Sequence, residues 1–274
     1  MDQRRVPFRA ILAIMIAMLS AALYAQSGTN PATARAVPRT STGHPDLSGV
    51  WIATGGLRLL TSEEEMKAIL DADARSGRPP LPRPEPPPYK PEAEARRQEY
   101  LARRGIDDPM SRCLMSGVPR ISGRPLPFEI VQLPDRVIIL YETHHAFRII
   151  PTDGRPHPDD LEPSYLGDSV ARWDGDTLVV DVVGFNEKTW LAGVGTIHSE
   201  KLHVTERYTR DGYDRIRYDV TMEDPEVFTR PWTTHEVFRL RHGERIREYE
   251  CIENNEDLLR IEKLLQNESI FRRP

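Results

Sequence analysis

From Phe128 onward the chain is a series of short β-branched segments separated by two-residue turns, and this feature restricts the fold more than any other. Asp-Gly between two β-branched segments is among the strongest short-range signals for a β-hairpin, and Pro-Asp and His-Gly are also turn dipeptides. Turns of this kind occur at Pro134-Asp135, Asp174-Gly175, Asp211-Gly212 and His242-Gly243. The pattern predicts an antiparallel sheet in which consecutive strands pair.

The number of predicted strands indicates how the sheet closes. The segments with strand character are Leu47–Trp51, Phe128–Leu133, Arg136–Tyr141, His145–Ile150, Ser169–Trp173, Asp176–Val183, Leu202–Tyr208, Arg215–Met222, Thr233–Leu240 and Arg245–Cys251. A sheet with this many strands must curl, and closing it into a barrel removes its exposed edges. We therefore predict a mainly all-β fold, an antiparallel up-and-down β-barrel. A two-sheet sandwich is the alternative.

Helical patterns flank the strands. Residues 62–76 begin with acidic residues after a Ser cap and carry an apolar stripe, which predicts a helix. Residues 78–91 contain eight prolines, which exclude a helix or a central strand and favour an extended polyproline II spacer. The pattern predicts further helices at Glu92–Arg104 and, near the C-terminal end, at Asp257–Leu265. The N-terminal helices would lie outside the barrel or plug one of its mouths.

The N-terminal residues have the composition of a secretory signal peptide. Three arginines precede the apolar run Ala10–Leu23, and small residues follow, so that cleavage after Ala22 or Ala25 is expected. The run of about 14 apolar residues is shorter than the roughly 20 that span a bilayer as a helix. An uncleaved N-terminal anchor is the alternative. Removal of the signal predicts a periplasmic or secreted protein with no stable membrane span after processing.

These features divide the chain into three parts. Residues 1–26 form the signal peptide, and residues 27–45 form a flexible leader with little apolar content. Residues 46–274 form a single β-barrel domain, because no linker separates the strands. The helical and proline-rich residues 62–110 are an insertion within that domain.

The balance of charge restricts the class of partner. The chain has 37 basic and 42 acidic side chains, a formal net charge of −5. A protein that binds nucleic acid neutralises phosphates with a basic excess, which is not found here, so no nucleic-acid partner is expected. The expected partner is a small-molecule ligand or substrate. The sequence leaves the oligomeric state open.

Cys113 and Cys251 are the only cysteines of the chain. Export to an oxidising compartment permits a disulfide between them, which would connect the region before the first central strand to the last predicted strand. The alternative is two unrelated buried thiols. Neither cysteine has a partner at the spacing of a zinc site, so we interpret both as structural.

Two groups of motifs carry a resemblance to known proteins. The segment Asp46–Trp51 resembles the Gly-x-Trp opening strand of lipocalins and related calycin barrels. Several further segments are similar to a family of exported bacterial proteins to which no function is assigned, namely Arg172–Asp181, Gly184–Asn186, His198–Glu200, His203 and Glu206–Arg207. The resemblance covers most of residues 46–255. It implies a lipocalin-like barrel and an exported location, and it brings no reaction with it.

The segment Thr196–Arg207 is the richest in chemically active side chains. Strand alternation places His198, Glu200 and Glu206 on one face and His203 on the other, unless a bulge or loop near Glu200 changes the order. An imidazole beside a carboxylate is the basic unit of general acid–base catalysis. We take these four residues as catalytic candidates, with His203 or His198 oriented by Glu200 or Glu206. The alternative is that they are ordinary polar residues of a strand surface.

A second set of polar and aromatic residues is expected to line a cavity inside the barrel. Arg148 and Tyr141 would hold an anionic or carbonyl oxygen of the substrate. The loop residue Trp190 would line the cavity, although packing is the simpler role for a tryptophan. The candidate substrate-binding residues are Tyr141, His145, Arg148, Asp181, Trp190 and Arg217.

The chemistry expected from these residues needs no organic cofactor. The sequence contains no Gly-x-Ser-x-Gly nucleophile motif, no Gly-rich phosphate loop and no His-x-His or His-Glu-x-x-His spacing. A metal site assembled from distant strands remains an alternative. We therefore expect a small-molecule-binding barrel that acts as a lyase, isomerase or hydrolase on a partly apolar substrate. A non-catalytic carrier or sensor of a small hydrophobic ligand is the second hypothesis, and an envelope interaction protein the third.

Overall fold

Nine strands and one helix carry the fold in a computed structural model that describes residues 35–55, 86–103, 106–193, 195–253, 255, 256, 258, 259 and 263. The helix α1 is Pro91–Ala102. The strands are β1 Gly49–Ala53, β2 Phe128–Gln132, β3 Arg136–Tyr141, β4 Phe147–Pro151, β5 Asp168–Asp174, β6 Thr177–Val183, β7 His203–Gly212, β8 Arg215–Glu223 and β9 Trp232–Leu240. The described residues from Val37 onward form one compact unit.

The strands form a nearly closed antiparallel barrel. Their order in the sheet is β4-β3-β2-β1-β9-β8-β7-β6-β5, so that β1 pairs with the last strand as well as with β2. The two end strands, β4 and β5, lie side by side. At this seam the Arg148 guanidinium donates to Ser169 Oγ at 2.8 Å, and the amide of Gly154 donates to the carbonyl of Ala171 at 2.9 Å.

Strand alternation separates the interior of the barrel from its outer face. In β7, Val204, Glu206 and Tyr208 are buried, whereas His203 and Thr205, which alternate with them, are only partly buried. Aromatic side chains fill the interior at this level, and Tyr208, Tyr218, Phe128 and Phe238 are each at most 1 % exposed. The closed sheet thus encloses a packed core.

The predicted final hairpin is wrong in its second half. Thr233–Leu240 lies within β9, but Arg245–Cys251 is not a strand. Both edges of β9 are already occupied, by β8 on one side and by β1 on the other. A hairpin partner after His242-Gly243 would have no free edge to pair with.

The start of β4 also differs from the prediction, which placed His145 in a strand. Thr143–His145 instead form a short 3₁₀ turn between β3 and β4, in which His144 and His145 have positive φ angles of 59° and 49°. The side chain of His145 is exposed and lies 3.6 Å from Glu250, Nδ1 to Oε1. Its position in a turn means that the strand alternation used to place it does not apply.

The helix predicted at Glu92–Arg104 is present as α1, with Pro91 and two acidic residues in its first turn, as suits a helix N-terminus. Tyr100 of α1 packs against Trp190 at 5.1 Å between ring centroids. The predicted signal peptide and the helix over 62–76 lie outside the described residues, as do residues 27–34 and most of 78–91 and Asp257–Leu265. In the described part of the predicted leader, Arg39 forms an ion pair with Asp176 at 2.6 Å. No helix of the described residues is both long and apolar enough to cross a membrane.

The predicted disulfide is confirmed. Cys113 and Cys251 are bonded, with their Cα atoms 5.5 Å apart. The bond links the segment before β2 to the segment that follows β9, which is not a strand. The disulfide therefore joins two irregular segments outside the sheet and not two of its strands.

Candidate functional site

Two imidazoles and two carboxylates form a hydrogen-bonded chain on the outer face of β5, β6 and β7. His203 Nε2 lies 2.7 Å from Asp181 Oδ1, and the other oxygen of Asp181 lies 2.9 Å from His157 Nε2. His157 Nδ1 in turn lies 2.5 Å from Asp168 Oδ1. Ionised carboxylates accept hydrogen bonds and do not donate them. The two contacts of His157 are therefore both hydrogen bonds when each of its ring nitrogens carries a hydrogen. We call this set the His–Asp chain.

The strands position the chain directly. Asp181 lies in β6, which pairs with β7, and His203 begins β7 on the same outer face. His157 comes from the β4–β5 connection, and Asp168 begins β5. The side chains of His203 and Asp181 are 38 % and 35 % exposed, so solvent and small molecules reach this pair.

The electrostatics of the pair follow from its hydrogen bond. The bond to Asp181 raises the pKa of His203 above its usual value, against the opposing effect of partial burial. The same bond, together with that from His157, holds the pKa of Asp181 below its usual value. When the Nε2–H of His203 donates to Asp181, its Nδ1 is the nitrogen that can take up a proton.

A cleft adjoins the His203 end of the chain. Glu223 lies directly opposite His203 in the pairing of β7 with β8, and it also lines this cleft, whose volume is about 360 Å³. Side chains opposite each other in a strand pair lie within about 5.5 Å at their Cβ atoms. The cleft is lined by Lys90, Glu223, Asp224, Pro225, Phe228, Thr229, Arg230 and Pro231. It combines apolar walls with charges of both signs.

Glu206 lies inside the barrel and does not orient His203. Its carboxylate accepts from the Arg148 guanidinium at 2.5 and 3.1 Å and from the hydroxyls of Tyr208 and Tyr218 at 2.9 and 2.8 Å. His203 is on the opposite face of the strand, as alternation requires. Of the two carboxylates considered as partners of His203, Glu206 is therefore directed away from it, and Asp181 takes that place.

Arg148 and Tyr141 are inside the barrel, where both bind neighbouring side chains and Arg148 Nε alone has no partner among the described residues. Arg148 is 4 % exposed and binds Glu206 and Ser169, so its guanidinium joins β4 to β5 and β7. The Tyr141 hydroxyl lies 3.1 Å from Ser122 Oγ, and burial raises its pKa. These contacts describe a structural cluster around the seam.

The expected cavity-lining set is wrong for three of its polar members. Asp181 and Arg217 lie on the outer face, because each alternates with buried neighbours on its strand, and His145 lies in an exposed turn. Arg217 Nε donates to Asp219 at 3.0 Å. Only Tyr141 and Arg148 point inward.

The remaining candidates lie in the segment between β6 and β7. His198 is buried, with Nε2 2.7 Å from Thr189 Oγ1 and Nδ1 2.9 Å from the carbonyl of Ser199, and burial lowers its pKa. Trp190 is 6 % exposed and packs in the core. Glu200 is exposed in a turn. The structure does not bring these three together with His203.

Sequence reasoning missed His157 and Asp168 as members of the His–Asp chain. His157 lies in a turn-rich loop that gives no face assignment, and Asp168 immediately precedes a predicted strand. Their proximity depends on how the β4–β5 connection folds over β6, which local patterns do not encode.

A second outer pair, His235 with Asp219 at 2.7 Å, is more deeply buried, its imidazole being 12 % exposed.

Comparison of the chain with models of known protein families found no match, and a search of curated proteins found no similar sequence. Within the described part of the chain, no three His, Cys, Asp or Glu side chains are grouped so as to hold a metal ion. The described contacts of the His–Asp chain are those of hydrogen-bonded pairs. Imidazole–carboxylate pairs of this kind are able to transfer protons.

Proposed function

We propose that this protein is an exported, lipocalin-like barrel that carries out cofactor-free acid–base chemistry on a small, partly apolar molecule. The single observation that carries the proposal is the partly exposed His203 imidazole, which is bound to Asp181 and lies opposite Glu223, a residue that lines the cleft. A positioned imidazole with a carboxylate partner accelerates proton transfer by about 10² to 10⁴-fold. The reaction would belong to the hydrolases, lyases or isomerases.

In the proposed mechanism the His–Asp chain orients a base. Asp181 accepts the Nε2–H of His203, which fixes the ring and leaves Nδ1 to remove a proton from the substrate or from water. Asp181 stabilises the imidazolium that forms, and His203 then returns the proton to the leaving atom. His157 holds the second oxygen of Asp181 at 2.9 Å and so fixes the carboxylate plane.

The lining of the cleft indicates which class of substrate would fit. Phe228 and Pro231 offer apolar contact, and Lys90 and Arg230 place positive charge in the same walls. A substrate with an apolar body and an oxygen that becomes negative in the transition state complements both features. The site proposed here lies on the outside of the barrel, since aromatic side chains fill the interior around Glu206.

Turnover by the purified protein on a panel of small esters, lactones and enolisable ketones tests the proposal. We expect His203→Gln to lower kcat by at least about 100-fold, the scale of lost acid–base catalysis, with KM little changed. His235→Gln is the matched control, because it removes an imidazole from another outer His–Asp pair that is buried. Equal loss in both variants, or no turnover of any compound, would contradict the proposal.

A non-catalytic carrier or sensor is the second candidate. It is favoured by one observation: among the described residues, the hydrogen bonds of His203 reach a carboxylate and not a hydroxyl or thiol nucleophile. A carrier would bind its ligand in the same cleft without turnover. His203→Gln would then lower affinity in proportion to the lost contact.

The exported location is proposed from residues 1–26 and from the resemblance to exported bacterial proteins. Fractionation of producing cells, with mass determination of the N-terminus, tests it. We expect a periplasmic or secreted protein that begins after Ala22 or Ala25. A cytoplasmic protein with an intact N-terminus would contradict it.

A further inference from the structure

A second cavity, of about 530 Å³, lies beside the disulfide and belongs to neither part of the proposed catalytic site. It lies between the turn that precedes β4, the segment before β2 and the segment after β9. We call it the disulfide pocket. Its walls include Arg124, His144, Tyr249, Cys251, Glu253 and Glu256.

Two polar atoms in the walls of this pocket are buried without a hydrogen-bond partner. They are Nε of Arg124 and Nε2 of His144. Neighbouring Arg120 is satisfied by a two-pronged contact with Asp108 at 2.6 and 2.7 Å, whereas Arg124 forms no ion pair with any described residue. Burial, followed by repulsion from Arg120, lowers the pKa of Arg124. Arg124 therefore lines the cavity with a positive charge that no described carboxylate neutralises, and such a charge favours an anionic ligand.

The backbone at His144 supports the same conclusion. His144 has φ 59° and ψ 18°, a left-handed conformation that is uncommon for a residue with a side chain. Non-glycine residues in this region are strained and are concentrated at binding and catalytic sites. Glycine would adopt the turn without strain, so the imidazole is held there at an energetic cost.

The negative charge of the pocket comes from the segment after β9. Glu253 and Glu256 line the pocket and are exposed. Neither lies within ion-pair distance of Arg124, so positive and negative groups are separated within one cavity. Met110 and Tyr249 also line the pocket and add apolar surface. A ligand that complements this arrangement carries an anion, a cation and an apolar body.

We propose that the disulfide pocket binds a small zwitterion of the amino-acid type. Its carboxylate would lie on Arg124 and His144, its ammonium group would face Glu253 and Glu256, and its apolar side chain would contact Met110 and Tyr249. A doubly charged anion such as phosphate would be disfavoured by the two glutamates. This site is independent of the proposed acid–base function.

Calorimetric titration of the purified protein with L-leucine, L-methionine and L-phenylalanine tests the proposal. We expect at least one of them to bind with a Kd of about 1 mM or lower. The N-acetyl derivative and the amide of that amino acid each lack one charge, and each should bind at least about tenfold more weakly, as should inorganic phosphate. Absence of binding by all three amino acids, or equal binding of the N-acetyl derivative, would overturn the proposal.

Variants locate the binding in this pocket. Arg124→Gln should weaken it at least about tenfold, the scale of a lost charge-assisted hydrogen bond, whereas the exposed neighbour Arg112→Gln should leave it within about twofold. His144→Gly should weaken binding while the melting temperature stays the same or rises, because the turn loses its strain. His203→Gln should bind normally. Unchanged affinity in Arg124→Gln would overturn the assignment.

Discussion

At the scale of single residues, exposure separates two otherwise similar imidazole–carboxylate pairs. His203 with Asp181 and His235 with Asp219 have the same 2.7 Å contact, but the imidazoles are 38 % and 12 % exposed. A buried pair fixes the position of its strands, whereas an accessible pair is able to exchange protons with a bound molecule. This difference makes His203 the residue on which the proposed function depends.

The pKa shifts at this pair predict how stability depends on pH. His203 has a raised pKa in the folded state, so its contribution is full below about pH 6.5 and is lost as the pH rises through the raised value. Asp181 has a lowered pKa, so its contribution is present above about pH 4 and is lost as the pH falls through the lowered value. The pair therefore stabilises the fold most between these limits.

Urea unfolding of the wild type and His203→Gln at mildly acidic and alkaline pH measures this effect. We expect the variant to be less stable near pH 5.5 and the difference to shrink well above the raised pKa. The difference should stay under about 1 kcal/mol, because both groups are more than one-third exposed and solvent screens them. A difference that is the same at both pH values would contradict the coupling.

At the scale of elements, the Arg148–Glu206 pair holds the seam of the barrel. It joins β4 to β7, and Ser169 extends the connection to β5. Both side chains are buried, and the tyrosine hydroxyls of β7 and β8 satisfy the same carboxylate. Glu206 and Arg148 therefore act as a unit, because removing either side chain leaves the charge of the other unpaired.

This unit predicts a non-additive double-mutant cycle. Glu206→Met or Arg148→Met alone leaves a buried charge unpaired and should lower the free energy of unfolding by about 3 to 5 kcal/mol. The double variant should lose much less than the sum of the two, because no charge remains unpaired. Arg207→Met, on the outer face beside Glu206 and paired with Asp174, should cost under about 1 kcal/mol. Additive losses in chemical denaturation would contradict the unit.

The sequence could predict pairing between neighbouring strands, but it could not predict pairing between strands that are distant along the chain. The hairpins β5–β6 and β7–β8 depend on local turns, and the sequence predicted both. The β7–β8 turn predicted at Asp211-Gly212 lies instead at Tyr213-Asp214, because a β-bulge after Thr209 extends β7 to Gly212. The pairing of β1 with β9 joins distant parts of the chain and takes the edge that the predicted strand Arg245–Cys251 would have needed.

The contacts of the candidate site are also of two kinds, those that the sequence could predict and those that it could not. Alternation along β7 correctly separates Glu206 from His203, because it depends on one strand alone. The partner of His203 depends on the register of β6 against β7, which brings Asp181 beside it. His157 and Arg124 lie in irregular segments without periodicity, so their contacts become visible only in the folded chain.

At the scale of the molecule, the disulfide links segments that the sheet does not pair. Cys113 and Cys251 are 138 residues apart, and nearly the whole barrel lies between them. Closing a loop of this length stabilises a fold by about 4 to 5 kcal/mol in the chain-entropy model. The double variant Cys113→Ser/Cys251→Ser should lose stability on this scale in chemical denaturation. Unchanged stability would contradict a structural role.

The molecule keeps its candidate sites outside the packed interior. Strands supply His203 and Asp181 of the His–Asp chain, while connecting segments form most of the adjoining cleft and the disulfide pocket. Rigid sheets that position variable loops are a common arrangement for binding and catalysis. The interior therefore stabilises the fold, and the proposed chemistry belongs to the outer face and the loops.

The most direct test of this account is NMR of the histidine imidazole signals while small esters, lactones and carboxylates are titrated into the protein. We predict that compounds with an apolar body and a carbonyl or carboxylate oxygen shift the His203 signals in a saturable way and leave those of His235 unchanged. The same compounds should be the best candidates for turnover. If compounds bind but His203 does not respond, or if none binds, the cleft beside His203 is not the functional site.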